Sequence, residues 1–295
     1  MSSQREDGRG LITPKIGPIT GRLEPLVRGT EPRISVHPTY VDDDRRVRVA
    51  TYNIRHGAPP GRPADLRGIA AAVSSLHADV VALQEVDRRV IRTCFADQAM
   101  RLGRSAGLTA HFAPARRFLW TGSYGNALLF RGTAARLERV SLASVGEQRV
   151  ALIASVQLHE QQVTVVSTHL QNSRRGRQSE AGGQLDEILG VLHKWPRPWV
   201  LMGDLNLRPE VVLPRLERAG LHPVSTAPTF PSHAPRICID WIAVAGLELL
   251  SAEVVDLRAS DHRPIVAELV PSADGSGGSG GGAPTAQVGV EESAE

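Results

Sequence analysis

Cysteine is nearly absent: Cys94 and Cys238 are the two in 295 residues, too few for a disulfide framework or a thiolate zinc site. Single thiols suit a reducing compartment, and any metal must be held by oxygen and imidazole ligands. No apolar run approaches the roughly 20 residues that cross a bilayer. The opening MSSQREDGRG also lacks the apolar segment of a secretory signal. These absences predict a soluble, cytoplasmic protein without stable membrane anchoring, and a monomer is the expected state. Lysine is scarce too, with Lys15 and Lys194 the only two, so the positive charge is carried by arginine. Arginine grips phosphate in a bidentate fork, although a coding bias toward Arg and Ala explains its abundance equally well. The net charge is +3, and charge alone does not identify a nucleic-acid ligand.

What is present is a core. Hydrophobic residues make up 41% of the chain, enough for one large domain or two small ones. Residues 1–45 are punctuated by Pro and Gly and read as an N-terminal extension without a clear pattern. Residues 272–295 are rich in Gly and Ser, carry four acids and no Lys or Arg, and read as a disordered acidic tail. Between them, residues 46–271 alternate β-rich and helical patterns. VRVATYNI, DVVALQEV, NALLF, RVALIASVQL, QVTVVSTHL, WVLMGDL, ICIDWIAV and IVAELV read as strands. PADLRGIAAAVSSL, FADQAMRLGRSAG and QSEAGGQLDEILGVLHKW read as amphipathic helices. Strands that occur in runs as well as alternating with helices favour a mixed α/β sandwich with helices outside over a doubly wound parallel sheet.

Those apolar runs finish on polar groups. Asn53, Glu85, His169, Asp204 and Asn206 end strands, Asn126 opens one, Asp240 lies within ICIDWIAV, and Asp261 and His262 precede the last strand. Taken singly, each Asn or Asp is most simply a turn former and each His a satisfied structural residue. Seven such endings in one domain are poorly explained by turn chemistry, because a carboxylate at the end of a buried strand is costly unless paired or metal-bound. Convergence on one rim accounts for all of them together.

In this order, with QE, TH, GDLN and SDH following one another, residues 47–270 resemble the endonuclease/exonuclease/phosphatase superfamily, which includes pancreatic deoxyribonuclease, exonuclease III, sphingomyelinases and inositol polyphosphate 5-phosphatases. The resemblance implies a four-layered α/β sandwich of two mixed, mainly antiparallel β-sheets. It also implies a hydrolase that cleaves phosphodiesters with Mg²⁺ or Mn²⁺. Glu85 is then the principal metal ligand, with Asn53 and Asp261 beside it, since Mg²⁺ takes hard oxygen ligands and keeps waters for substrate to replace. Asp204 orients or deprotonates the attacking water, and Asn206, two residues on and so on the same strand face, donates to a phosphate oxygen. His262 contacts the scissile phosphate with its tautomer fixed by Asp240, and His169 donates to another non-bridging oxygen. One departure stands out. Pancreatic deoxyribonuclease supplies a carboxylate to the second histidine, and no acid lies between Phe112 and Leu137 to serve His169, leaving Asn126 for part of that role.

Substrate choice is read from two loops. ARRFLWTGSYGN carries Arg116 and Tyr124, and THLQNSRRGRQ carries Arg174 and Arg175; basic and aromatic side chains together hold phosphates and stack bases. A solvated loop capping the sandwich is the equally weighted plain reading. Nucleic acid is therefore one admissible substrate. A sphingomyelinase-like or phosphoinositide phosphatase activity is the alternative, with RFLW as the one candidate for lipid contact, and an inactive phosphate-binding module is disfavoured.

Overall fold

The computed structural model describes residues 45–119, 121–172 and 178–272. The expected extension up to residue 44, the tail from residue 273, and Arg174 and Arg175 lie outside the described residues. In chain order the elements are β1 (Val47–Asn53), α1 (Leu66–Ser75), β2 (Val80–Arg88), α2 (Gln98–Ala106), β3 (Thr109–Arg117), β4 (Ser123–Phe130), β5 (Ala134–Leu142) and β6 (Arg149–Leu158). There follow β7 (Gln161–His169), α3 (Gln178–Leu192), β8 (Trp199–Asp204), α4 (Pro209–Ala219), β9 (His222–Pro223), β10 (Asp240–Ala245), β11 (Leu247–Val254) and β12 (Ile265–Pro271). None of the described helices is long and apolar enough to cross a membrane.

The strands form two six-stranded sheets, ordered β11-β12-β1-β2-β4-β3 and β5-β6-β7-β8-β10-β9. Each sheet has one parallel pair, β1 with β2 and β7 with β8, among antiparallel neighbours. Alternation along the inner strands builds three apolar layers. Val47 and Val49 of β1 and Val200 and Met202 of β8 point into the layer between the sheets. Ala50 and Tyr52 face α1 and α2 through Ile69, Val73 and Leu102. On the other side Leu201 and Val166 meet Leu185 and Ile188 of α3 and Leu216 of α4. The four-layered α/β sandwich is the expected one.

Four strands and one helix went unpredicted. The strands β3, β5, β9 and β11 are the four sheet edges. Much of β5 and β11 is exposed, so they lack the continuous apolar runs that marked the inner eight. Helix α4 starts with Pro209 in its first turn, where the missing N–H costs nothing, and contains Pro214, which masks it as a loop in sequence.

Two local features fix the ends of the inner strands. Gly203 sits beside Thr168 across the parallel β7–β8 pair, and a Cβ there would collide with the Thr168 carbonyl. This close approach keeps His169 and Asp204 in register as partners. On β2 the ladder to β4 slips between Leu83 and Val86, and Glu85 takes a left-handed φ of 57°. Such a bulge re-aims a side chain out of the strand alternation.

Candidate active site

The topology gathers the polar strand ends. β1, β2, β7 and β8 all finish at one rim, bringing Asn53, Glu85, His169 and Asp204 there. β10 is antiparallel to β8 with Asp240 opposite Asp204, and β12 is antiparallel to β1, so Asp261 and His262 just before it reach the same rim. β4 is antiparallel to β2 and adds Asn126. Convergence is thus a product of strand direction, and it joins the two sheets.

Asp204, 2% exposed, is the hub. Its Oδ2 accepts from Asn53 Nδ2 at 2.9 Å and lies 3.5 Å from His169 Nε2 and 3.8 Å from His262 Nε2. Its Oδ1 accepts the Asn206 backbone N–H at 3.0 Å. Asn53 also donates to Glu85 Oε1 at 3.2 Å, linking the hub to the second carboxylate. His262 Nδ1 is 2.8 Å from Asp240 Oδ2, which also accepts from Thr229 Oγ1 at 2.5 Å. The Phe230 ring leans on the His262 imidazole at 4.9 Å between centroids. Asp261 approaches Arg55 Nε at 3.4 Å and accepts from Ser260 Oγ.

Burial sets opposite charge states on these groups. Loss of solvent, then the charge of Asp240, pushes the Asp204 carboxyl up to about 7. Burial pulls His262 down, but Asp240 outweighs it by charge and hydrogen bond, and the imidazole rises to about 10. His169 goes the other way: burial, then the cation of Arg149, hold it well below the usual histidine range. Glu85 is raised by burial, and the charge of Asp261 adds to that rise. At neutral pH the rim therefore holds an imidazolium, a neutral imidazole and a carboxyl near its midpoint.

Two acid-containing groups could hold a cation. Asp204, Asp240 and His262 present ligand atoms within 4.8 Å of one another; Asp204 is bonded to Asn53 and Asn206, Asp240 Oδ2 to His262 and Thr229, and Asp240 Oδ1 is buried without a partner among the described residues. Glu85, Asn53 and Asp261 offer hard oxygens, and a divalent ion there would offset both the burial of Glu85 and its repulsion by Asp261. The donor set fits Mg²⁺ or Mn²⁺.

Some expectations about position need correcting. Asp204 and Asn206 do not share a strand face: β8 ends at Asp204, and Asn206 has a left-handed φ of 52°. The Asp204 carboxylate caps that turn, and the Asn206 amide donates to Leu170 O at 3.1 Å. Asn126 is not bonded to His169; it donates to Val150 O at 2.9 Å. The His169 Nδ1 is buried without a partner among the described residues. Tyr124 is buried on β4 with the Arg92 guanidinium 5.6 Å from its ring centroid, and Arg116 is exposed over Phe118.

Three residues at the rim were not singled out from sequence. Arg149, 6% exposed, is held by Gln171 Oε1 and Glu147 Oε2, both at 3.1 Å, and its charge reaches His169 and Glu85. His56, at a left-handed φ of 48°, has its Nδ1 3.9 Å from Glu85 Oε2. Thr229 buttresses Asp240. The NIRHG stretch, directly after Asn53, held a signal for His56; nothing local marks Arg149 or Thr229.

Comparison with known proteins agrees with the fold. A sequence profile described as the endonuclease/exonuclease/phosphatase family matches residues 50–262. A UPF0294 protein of Vibrio vulnificus strain YJ016 is 32% identical over 122 residues, covering 39% of this chain and 42% of that protein, and one from strain CMCP6 matches equally. The chain thus spans less than half the length of the curated relatives it matches. Among solved structures, the endonuclease/exonuclease/phosphatase of Beutenbergia cavernae gives a TM-score of 0.65 at 22% identity, covering 77% of this chain and 72% of that one. The human Nocturnin catalytic domain, with bound sulfate, gives 0.63 at 20% identity over 77% and 94% of the two chains. A humanized D. rerio TDP2 gives 0.61 at 17% identity over 76% and 98%. At such identities these structures attest the fold, and the profile attests the family: the chain belongs to the endonuclease/exonuclease/phosphatase family.

Proposed function

We propose that this family member is a divalent-metal-dependent phosphodiesterase whose catalytic unit is residues 46–271. The observation that carries the reading is the single rim where Asp204 meets Asn53, His169 and His262 beside Glu85. A phosphodiester resists attack because its negative charge repels nucleophiles and its alkoxide leaves poorly. Glu85, Asn53 and Asp261 would hold Mg²⁺ or Mn²⁺, which supplies positive charge to the phosphate and the leaving oxygen.

The chain's own groups do the rest. Asp204, raised to about 7, is a base matched to neutral pH: it takes a proton from water as the water oxygen attacks phosphorus. The P–O bond to the leaving group breaks, and the departing alkoxide gains a proton from solvent. His262, kept cationic by Asp240, pairs with a non-bridging oxygen as negative charge accumulates. His169, neutral, donates a hydrogen bond to a second oxygen, and Asn206 uses its remaining amide hydrogen on the phosphate. Arg149 adds fixed charge behind His169, whose Nδ1 has no partner among the described residues.

Chelation tests the metal. EDTA is expected to abolish hydrolysis of bis-p-nitrophenyl phosphate, with recovery on adding Mg²⁺ or Mn²⁺, and Glu85→Gln should shift the Mg²⁺ response to higher concentration. Full turnover in EDTA excludes the reading.

A further inference from the structure

The turn that follows β1 holds a histidine in a conformation that side chains seldom adopt. Residues Arg55–Gly57 form one short helical turn, and within it His56 has φ 48° and ψ 27°. A left-handed backbone is costly for a residue with a Cβ, and such strain gathers at functional sites. Three hydrogen bonds fix it: Gln98 Nε2 donates to His56 O, Gly57 N–H to Ile54 O and Asp65 N–H to Gly57 O, each at 2.7 Å. Gln98 opens α2 and Asp65 caps α1, so both helices of this sheet dictate where the imidazole goes.

It goes to Glu85. The β1–β2 ladder runs one step past β1, with Ile54 N–H bonded to Gln84 O at 3.1 Å, so both chains leave the sheet at one level. Glu85, directly after Gln84, takes its own left-handed φ of 57°. Two strained residues thus meet, with His56 Nδ1 3.9 Å from Glu85 Oε2. That Nδ1 is buried and has no hydrogen-bond partner among the described residues. The two side chains as wholes are 23% and 25% exposed, which leaves the pair reachable from solvent.

Their separation decides what joins them. A hydrogen bond spans about 2.7–3.2 Å, so 3.9 Å is too long for one. Two atoms bonded to one ion at about 2.1 Å each stand about 3.0 Å apart when adjacent and about 4.2 Å apart when opposite. The observed distance falls between these limits. A bare ion pair is the plainer account, but it leaves Nδ1 buried and unbonded. The two arginines whose charge acts on His56 are themselves paired, Arg92 with Asp87 and Arg55 with Asp261.

We propose that His56 Nδ1 is a ligand of the divalent ion held by Glu85, and that it makes the site select Mn²⁺ over Mg²⁺. Imidazole nitrogen binds first-row transition ions well, whereas Mg²⁺ keeps to hard oxygens and sheds water reluctantly. In the ligating tautomer Nδ1 carries the lone pair and Nε2 the proton. The proposal rests on the metal-dependent reading above and names its preferred ion.

The test is calorimetric titration of the full chain with MnCl₂ and with MgCl₂, joined to pulsed electron paramagnetic resonance of the Mn²⁺-loaded protein. Wild type is expected to bind Mn²⁺ at least roughly tenfold tighter than Mg²⁺ and to show a directly bonded nitrogen. His56→Asn suits this backbone, because asparagine tolerates left-handed φ, and His56→Gly, equally at ease there, is the second variant. Both should lose the nitrogen signal and at least roughly tenfold in Mn²⁺ affinity, with Mg²⁺ affinity within about threefold of wild type. Equal losses for the two ions would make His56 a partner that orients Glu85, and a nitrogen signal that survives both substitutions would belong to another histidine; either result overturns the proposal. So does wild-type protein that binds Mn²⁺ without nitrogen, whether or not the variants fold. Nitrogen-ligated Mn²⁺ in a chain that hydrolyses bis-p-nitrophenyl phosphate fully in EDTA supports the ligand and sinks the metal-dependent reading instead.

Discussion

His262 stays protonated because Asp240 holds its Nδ1 at 2.8 Å, against the pull of burial. A raised histidine stabilises the fold fully below its unfolded value near 6.5 and loses that contribution as pH rises through about 10. Asp240→Asn removes the charge and keeps the shape. We expect the alkaline limb of the rate profile to move from near 10 toward neutrality, with Mg²⁺ affinity unchanged. The fall in apo melting temperature between pH 7 and 10 should also flatten. An alkaline limb left in place would mean that Asp240 does not set the charge of His262. At this scale the sequence named the groups better than their contacts. The strand-end pattern picked out Asp204, His169 and His262, yet the Leu170 and Val150 carbonyls that accept from the Asn206 and Asn126 amides, and the charge of Arg149, come from chain segments far away in sequence.

Strands differ in how much of themselves they announce. The eight inner strands are covered on both faces and read as apolar runs, whereas the edge strands β3, β5, β9 and β11 are partly solvated, carry mixed side chains and escaped notice. Helix α4 was hidden by Pro209 and Pro214. The catalytic and metal-binding residues expected in the site remained legible because each sits on, or just before or after, an inner strand, whereas Thr229 lies in the loop between β9 and β10. Its geometry depends on the close contact of β7 with β8 at Gly203, where a side chain has no room. Gly203→Ala should therefore force the pair apart, lowering stability by about 1–3 kcal/mol, the usual cost of overpacking. Turnover should fall as His169 and Asp204 lose register. Urea unfolding reads the first effect, and an unchanged midpoint would show that the strands part without penalty.

For the molecule as a whole, two sheets of matching design each contribute half of one site. The first sheet brings Asn53 and Glu85 with Asp261 and His262 beside them; the second brings His169, Asp204 and Asp240. Neither sheet carries the whole of the proposed site, so the core between them, built from Val49, Met202, Ile242 and their neighbours, is what sets the distance between the proposed metal-binding oxygens and the proposed base. The central claim is that this junction activates water through Asp204. Turnover of bis-p-nitrophenyl phosphate at saturating Mg²⁺ by Asp204→Asn, with the melting temperature measured on the same samples, tests it most directly. A positioned base is worth about a hundredfold or more, so turnover should fall by at least that factor. The apo melting temperature at pH 8 should hold or rise, because the variant removes a carboxylate whose ionisation, as pH climbs through about 7, weakens the wild-type fold. Turnover within a few-fold of wild type, or loss of the folded state, would contradict the account.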